Sequence, residues 1–212
     1  MMRYFATLLY AFAAVALGST GDIGKVNSSI TVGPGRQAGD VETVNGSITV
    51  GEGASVRDVE TVNGSIRLGA RARAQGVETV NGSIALDEGV RVDEGVSAVN
   101  GKLTLRRGAH VAGRLANVNG DLVLDGATVQ GGLATVNGDV RVGGGSQVDG
   151  GILVAKPGGW NWNKSDLPRV TIESGAVVKG ALRFEREVEL LVADGAVIGP
   201  VEGVAPRRSR LP

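Results

Sequence analysis

Two consecutive stretches, VNGSITVGEGASVRDVET at residues 44–61 and VNGSIRLGARARAQGVET at 62–79, are copies of one pattern. The triplet that opens them, Val-Asn-Gly (Val-Asn-Ser in the first copy), recurs from Val26, Val44, Val62, Val80, Val99, Val118 and Val136. The spacings are 18, 18, 18, 19, 19 and 18 residues. Within the copies a second period of six aligns Val44, Val50, Val56, Val62, Leu68, Ala74, Val80, Leu86 and Val92. Segments such as Ser47-Ile48-Thr49-Val50 alternate polar and apolar, as strands with one buried face do. Gly, Asn and Asp between them supply the backbone angles that turn corners. Three short strands and three corners make one coil, and coils stacked in parallel lay each valine on the valine of the coil before. No copy can bury its apolar face alone, so the fold needs many copies. The expected fold class is all-β, a single-domain parallel β-solenoid of about 18 residues per coil. The period admits either hand, a right-handed β-helix or a left-handed coil of the hexapeptide-repeat type.

Composition agrees with a narrow interior. Of 212 residues, 35 are Gly and 32 are Val, whereas aromatics number only two Trp, two Tyr and three Phe. Beyond residue 12 the aromatics are Trp160, Trp162 and Phe184 alone. An ordinary globule of this length buries more aromatic bulk. With 22 basic and 22 acidic residues, nothing points to nucleic acid or an anionic membrane. The absence of cysteine excludes disulfides, thiolate metal sites and cysteine nucleophiles, and a single histidine excludes a multi-histidine centre within one chain.

The chain opens MMRYFATLLYAFAAVALGST, with Arg3 ahead of an apolar run from Tyr4 to Leu17 and small residues after it. That is the layout of a secretory signal peptide, expected as a helix over 1–18 with cleavage after Ala16 or Gly18. The run of 14 residues is short for a membrane span, which needs about 20. Cleavage leaves no span, and the mature protein is expected in the periplasm or outside the cell. Solenoid repeats follow over 21–154. Residues 155–168 (AKPGGWNWNKSDLP) lack alternation and read as an inserted loop. Solenoid coils resume over 169–204, and 205–212 (APRRSRLP) reads as a disordered tail.

The most regular polar feature is the asparagine of each triplet: Asn27, Asn45, Asn63, Asn81, Asn100, Asn119 and Asn137. Identical amides stacked at about 4.8 Å can hydrogen-bond along the solenoid as a ladder beside the buried valine. Glu42, Glu60 and Glu78 form an acidic column with Asp40 and Asp58 beside it, and Arg57, Arg71 and Arg73 lie near enough in sequence to offset it. This column reads as a solvated face rather than a metal site, and no metal or cofactor is expected. His110 precedes the inward Val111, so alternation turns it outward, away from a general-base role. No catalytic set emerges, and an enzyme is not expected. The position after the inward Ile reads Thr31, Thr49, Arg67, Ala85, Thr104, Val123 and Arg141, too irregular for a hydroxyl array that binds ice. Trp160-Asn161-Trp162-Asn163 is the one place where large rings leave the narrow solenoid. These residues are the candidate binding site, for an envelope glycan or a protein partner, or else a cover for the solenoid's side.

Four phrases carry a family resemblance: VTIESGAVVKG (170–180), ADGAVIG (193–199), GATVQGG (126–132) and GAHVAG (108–113). The shared Gly-Ala-x-Val-x-Gly after a short apolar strand resembles the rungs of bactofilins, the polymer-forming cytoskeletal proteins, over residues 100–204. That resemblance implies a right-handed parallel β-helix whose ends stack into filaments without nucleotide. Set against the signal peptide, it implies an exported variant of a family whose members generally act from the cytoplasmic side. A parallel solenoid also ends in two open edges with unpaired backbone groups. The expected function is a non-catalytic structural scaffold that self-associates through those ends, with adhesin-like or glycan binding by the Trp160/Trp162 loop as the alternative.

Overall fold

The structure of the protein, a computed structural model, describes residues 21–158 and 167–209. The expected signal segment 1–18 and the Trp160–Asn163 motif lie outside the described residues. Among the described residues there is no helix, and the chain winds as a parallel β-solenoid of about nine turns. Three sheets run its length. The first has ten strands, from Ile23–Lys25 to Val201–Gly203, and the second has ten, from Ile30–Val32 to Arg207–Ser209. The third has seven, from Arg73–Ala74 to Val197–Ile198, and isolated bridges Gln37↔Ser55 and Ser55↔Arg73 extend it by two more coils. Every strand pairs in parallel with the strand one coil away, as in Val41↔Val59↔Val77 and Ile48↔Ile66↔Ile84.

The core is a set of columns along the axis. Ile30, Ile48, Ile66, Ile84, Leu103 and Leu122 form one, and Val32, Val50, Leu68, Leu86, Leu105 and Leu124 its neighbour. Ala54, Ala72, Val90, Ala109 and Ala127 are buried beside the third sheet. Phe184, fully buried, is the one aromatic of the described core, and its neighbour in the next coil is Gly203.

One expectation about the interior is corrected. The valines of the Val-Asn-Gly triplets are not core residues: Val44, Val62, Val80, Val99, Val118 and Val136 point outward and are half-buried. The inward side chain is the residue before each, namely Thr43, Thr61, Thr79, Ala98, Asn117 and Thr135. The first-sheet strand extends through the triplet (Val41–Asn45, Asp58–Asn63), so parity is counted from Val41 and Val59, not from the valine of the motif. A threonine survives inside because its hydroxyl donates to a corner carbonyl: Thr43 Oγ1 to Ser28 O at 3.0 Å, Thr61 to Gly46 O at 2.9 Å and Thr79 to Gly64 O at 3.0 Å.

Of the tail expected at 205–212, the described residues run to Ser209. Arg207–Ser209 is a strand that pairs with Glu189–Leu191, with Arg207 N donating to Val188 O at 2.9 Å and Arg207 Nε to Glu187 at 2.6 Å. The open edge of the coil below offers the backbone partners that a polar sequence accepts as readily as an apolar one. The insertion at 155–168 leaves from the end of Ile152–Val154 and returns at Arg169–Ile172. The step from Ile152 to its partner Leu182 is therefore 30 residues, against the 18 between Leu115 and Leu133.

Candidate functional site

Asn, Gly and Ser at the corner between the first and second sheets each meet a separate demand of stacking. The amides form a continuous ladder, each Nδ2 donating to the Oδ1 of the coil before. The distances are 2.8 Å (Asn45 to Asn27), 2.9 Å (Asn63 to Asn45), 3.0 Å (Asn81 to Asn63), 2.8 Å (Asn100 to Asn81), 2.8 Å (Asn119 to Asn100) and 3.0 Å (Asn137 to Asn119). The glycine that follows is required by contact. A Cβ on Gly64 would lie 2.0 Å from Gly46 O, and one on Gly82 2.0 Å from Gly64 O. The first copy carries Ser28 instead. The next residue accepts the N–H of the coil after it: Ser29 Oγ from Ser47 N at 3.1 Å, Ser47 from Ser65 N at 3.3 Å, Ser65 from Ser83 N at 3.2 Å. Aspartates take over later, Asp121 for Asp139 N at 3.3 Å and Asp139 for Arg169 N at 2.8 Å.

The inserted loop interrupts this corner, and the chain repairs it from the far side. Arg186, only 7% exposed, reaches back from two coils on and donates through Nη1 to Asn137 Oδ1 at 3.0 Å and to Val136 O at 3.4 Å. The ladder thus ends on a guanidinium that spans the coil the loop has opened. Arg186 stands in the register of the ladder itself, two coils after Asn137 with Lys156 between, and the lengthened step across the insertion hides that register from the sequence period.

The acidic column stacks in register as Glu42↔Glu60↔Glu78 on the outer face of the first sheet. Burial and then the neighbouring carboxylates Glu78 and Glu42 push Glu60 up to about 7. Burial foremost, with Asp40 behind it, raises Glu42 and Asp58, and burial with Asp58 and Glu94 raises Glu78. Of the arginines expected to offset the column, Arg57 does so, bridging Asp40 at 2.7 Å and Asp22 at 2.9 Å. Arg71 turns instead to Glu52, and Arg73 stands in the third sheet beside Arg91. Among the described residues no group of His, Asp or Glu is gathered as a metal would need. His110 pairs with Arg91 and Thr128 on the outer face of the third sheet and is half-buried. A shallow cleft of about 540 Å³, which His110 does not line, is bounded by Arg57, Arg73, Gln75, Asp93 and Glu94 among others. Gln75 Nε2 donates to Glu94 there at 2.8 Å, so its polar groups already serve one another.

Among the described residues, open strand edges lie at the ends of the solenoid. Ile23–Lys25 and Ile30–Val32 each have one neighbouring strand, as do Val197–Ile198, Val201–Gly203 and Arg207–Ser209. The most exposed large apolar side chains among the described residues also gather there: Val26 (53%), Val197 (57%) and Val204 (43%). Comparison of the chain with protein-family models, with curated proteins and with solved structures finds no match.

Proposed function

We propose that this chain is a non-catalytic structural scaffold, exported to the periplasm or beyond the cell, that self-associates through the ends of its solenoid. The observation that carries this reading is where the polar groups are spent. Among the described residues the Asn amides, the corner Ser and Asp side chains and the hydroxyls of Thr43, Thr61 and Thr79 bond from coil to coil, while the two ends carry open strand edges and exposed valines. The resemblance of 100–204 to bactofilin rungs supports it, as does the export signal read at 1–18. No cofactor takes part, and the protein's partner is another copy of itself within the envelope.

Light scattering of the purified protein over a concentration series, with electron microscopy of the same samples, tests the reading. Oligomers that grow with concentration are expected. A single species of monomer mass at the highest concentration reached overturns it.

A further inference from the structure

The two ends continue each other's columns. On the first sheet the inward column that begins at Ile23 finishes at Val201, and on the third the column from Ala38 finishes at Ile198. All four side chains are only partly buried. At the Asn corner the outward column runs from Val26 through the valines Val44 to Val136, then Ala155 and Glu185, to Val204, whose N–H bonds to Phe184 O just as Glu185 N bonds to Val154 O one coil earlier. If the last coil of one copy lies under the first coil of another, Val201 meets Ile23 and Val204 meets Val26, while the third sheet, one rung shorter than the other two among the described residues, leaves a gap of one strand between Ile198 and Ala38. The register is the one every internal pair already uses.

Three residues at the ends break the repeat where such a joint would form. Lys25 occupies the inward register of Thr43 and folds over its own corner, its Nζ donating to Ser29 O at 3.3 Å. In the joint it faces Gly203, which has no side chain to obstruct it. Ser28 stands where every later triplet has glycine, so its Cβ would press on the backbone at Pro206 as a Cβ on Gly64 would press on Gly46 O, 2.0 Å away. Arg208 occupies the inward register of Leu190, in the column that starts at Ile30, so closing the joint desolvates its charge. Inward charges on edge strands are a known brake on uncontrolled pairing.

We propose that the C-terminal end of one copy docks head to tail beneath the N-terminal end of a second copy, through Val201/Ile23 and Val204/Val26, with Lys25, Ser28 and Arg208 holding the joint weak and reversible. The proposal rests on the self-association reading and adds its orientation and its restraint. Different patches meet in this contact and no rotation closes it, so it yields open strings with a direction.

The chain has no cysteine, so an engineered pair reports the joint cleanly. Both target valines are exposed, and their replacement leaves the core intact. Under mild oxidation the Val26→Cys/Val204→Cys double variant is expected to give a ladder of covalent multimers on non-reducing gels, while each single variant stays one chain long. The Ser28→Gly/Arg208→Leu variant is expected to show oligomers by light scattering at a concentration at least tenfold lower than the parent protein. Dimers from a single cysteine variant, with no ladder from the pair, overturn the orientation and leave self-association standing. A ladder with an unchanged onset for Ser28→Gly/Arg208→Leu overturns the restraint. No cross-link in any variant, with Ser28→Gly/Arg208→Leu monomeric, overturns both this proposal and the reading beneath it.

Discussion

At the corner Asn63-Gly64-Ser65, three adjacent residues answer three different requirements of a stacked chain: an amide that bonds to its own copy, a backbone without Cβ, and an acceptor for the next N–H. The same economy is absent on the outer face a few residues upstream, where Glu60 lies between Glu42 and Glu78. Burial and that company raise Glu60 from 4.5 to about 7. A carboxyl raised in the fold favours its protonated form, so the stability it contributes is whole below about 4.5 and is lost as pH climbs through about 7. Glu60→Gln is therefore expected to leave stability unchanged near pH 4 and to raise it by about 1 kcal/mol near pH 8, with screening of the half-exposed column allowed for. Urea unfolding at the two pH values measures the difference. A loss of stability near pH 8 would show that a cation, not protonation, relieves the column.

Strand parity is the property of the elements that the sequence half concealed. Ile48-Thr49-Val50 alternates in plain view, and its outward Thr49 is exposed as expected. In Val59-Glu60-Thr61-Val62 the eye is drawn to Val62, because its triplet is the strongest repeat. The strand instead turns Thr61 inward, with its hydroxyl donating to Gly46 O at 2.9 Å. A polar residue that bonds to backbone carries no mark in one-dimensional polarity, and neither does Arg186, whose role depends on a loop it does not belong to. The coil, the asparagine ladder and the position of the insertion were legible, because each repeats or interrupts a repeat. The strand at Arg207–Ser209 was not, because an edge can order a segment of almost any composition. Parity is directly testable. Thr61→Asp is expected to lower stability by more than about 3 kcal/mol, and Thr49→Asp to change it by less than about 0.5 kcal/mol, both read by denaturant midpoints. Equal effects would place the two threonines on the same side of the wall.

For the molecule as a whole, repetition makes the coil the unit of change. Residues 62–79 are one complete coil, and the columns they interrupt have equivalent residues above and below: Thr61 and Ala98 around Thr79, Ile48 and Ile84 around Ile66, Asn45 and Asn81 around Asn63. Deleting 62–79 is expected to give a folded solenoid one turn shorter, with the same circular dichroism per residue. Its denaturant m-value should be lower by roughly a tenth, since m follows the surface exposed on unfolding. Deleting half as many residues would set inward side chains against outward ones, and that variant is expected not to fold. Folding of both, or of neither, would contradict modular stacking. The glycine at the Asn corner carries this further. A Cβ at Gly64 would meet Gly46 O at 2.0 Å, so the corner backbones of neighbouring coils stack in direct contact, one whole rung at a time. Gene-level gain or loss of repeats therefore changes the rod's length in whole increments of about 4.8 Å and in nothing smaller. The protein behaves as a ruler with fixed graduations, so a lineage could tune the distance it spans by counting copies, without redesigning a single contact.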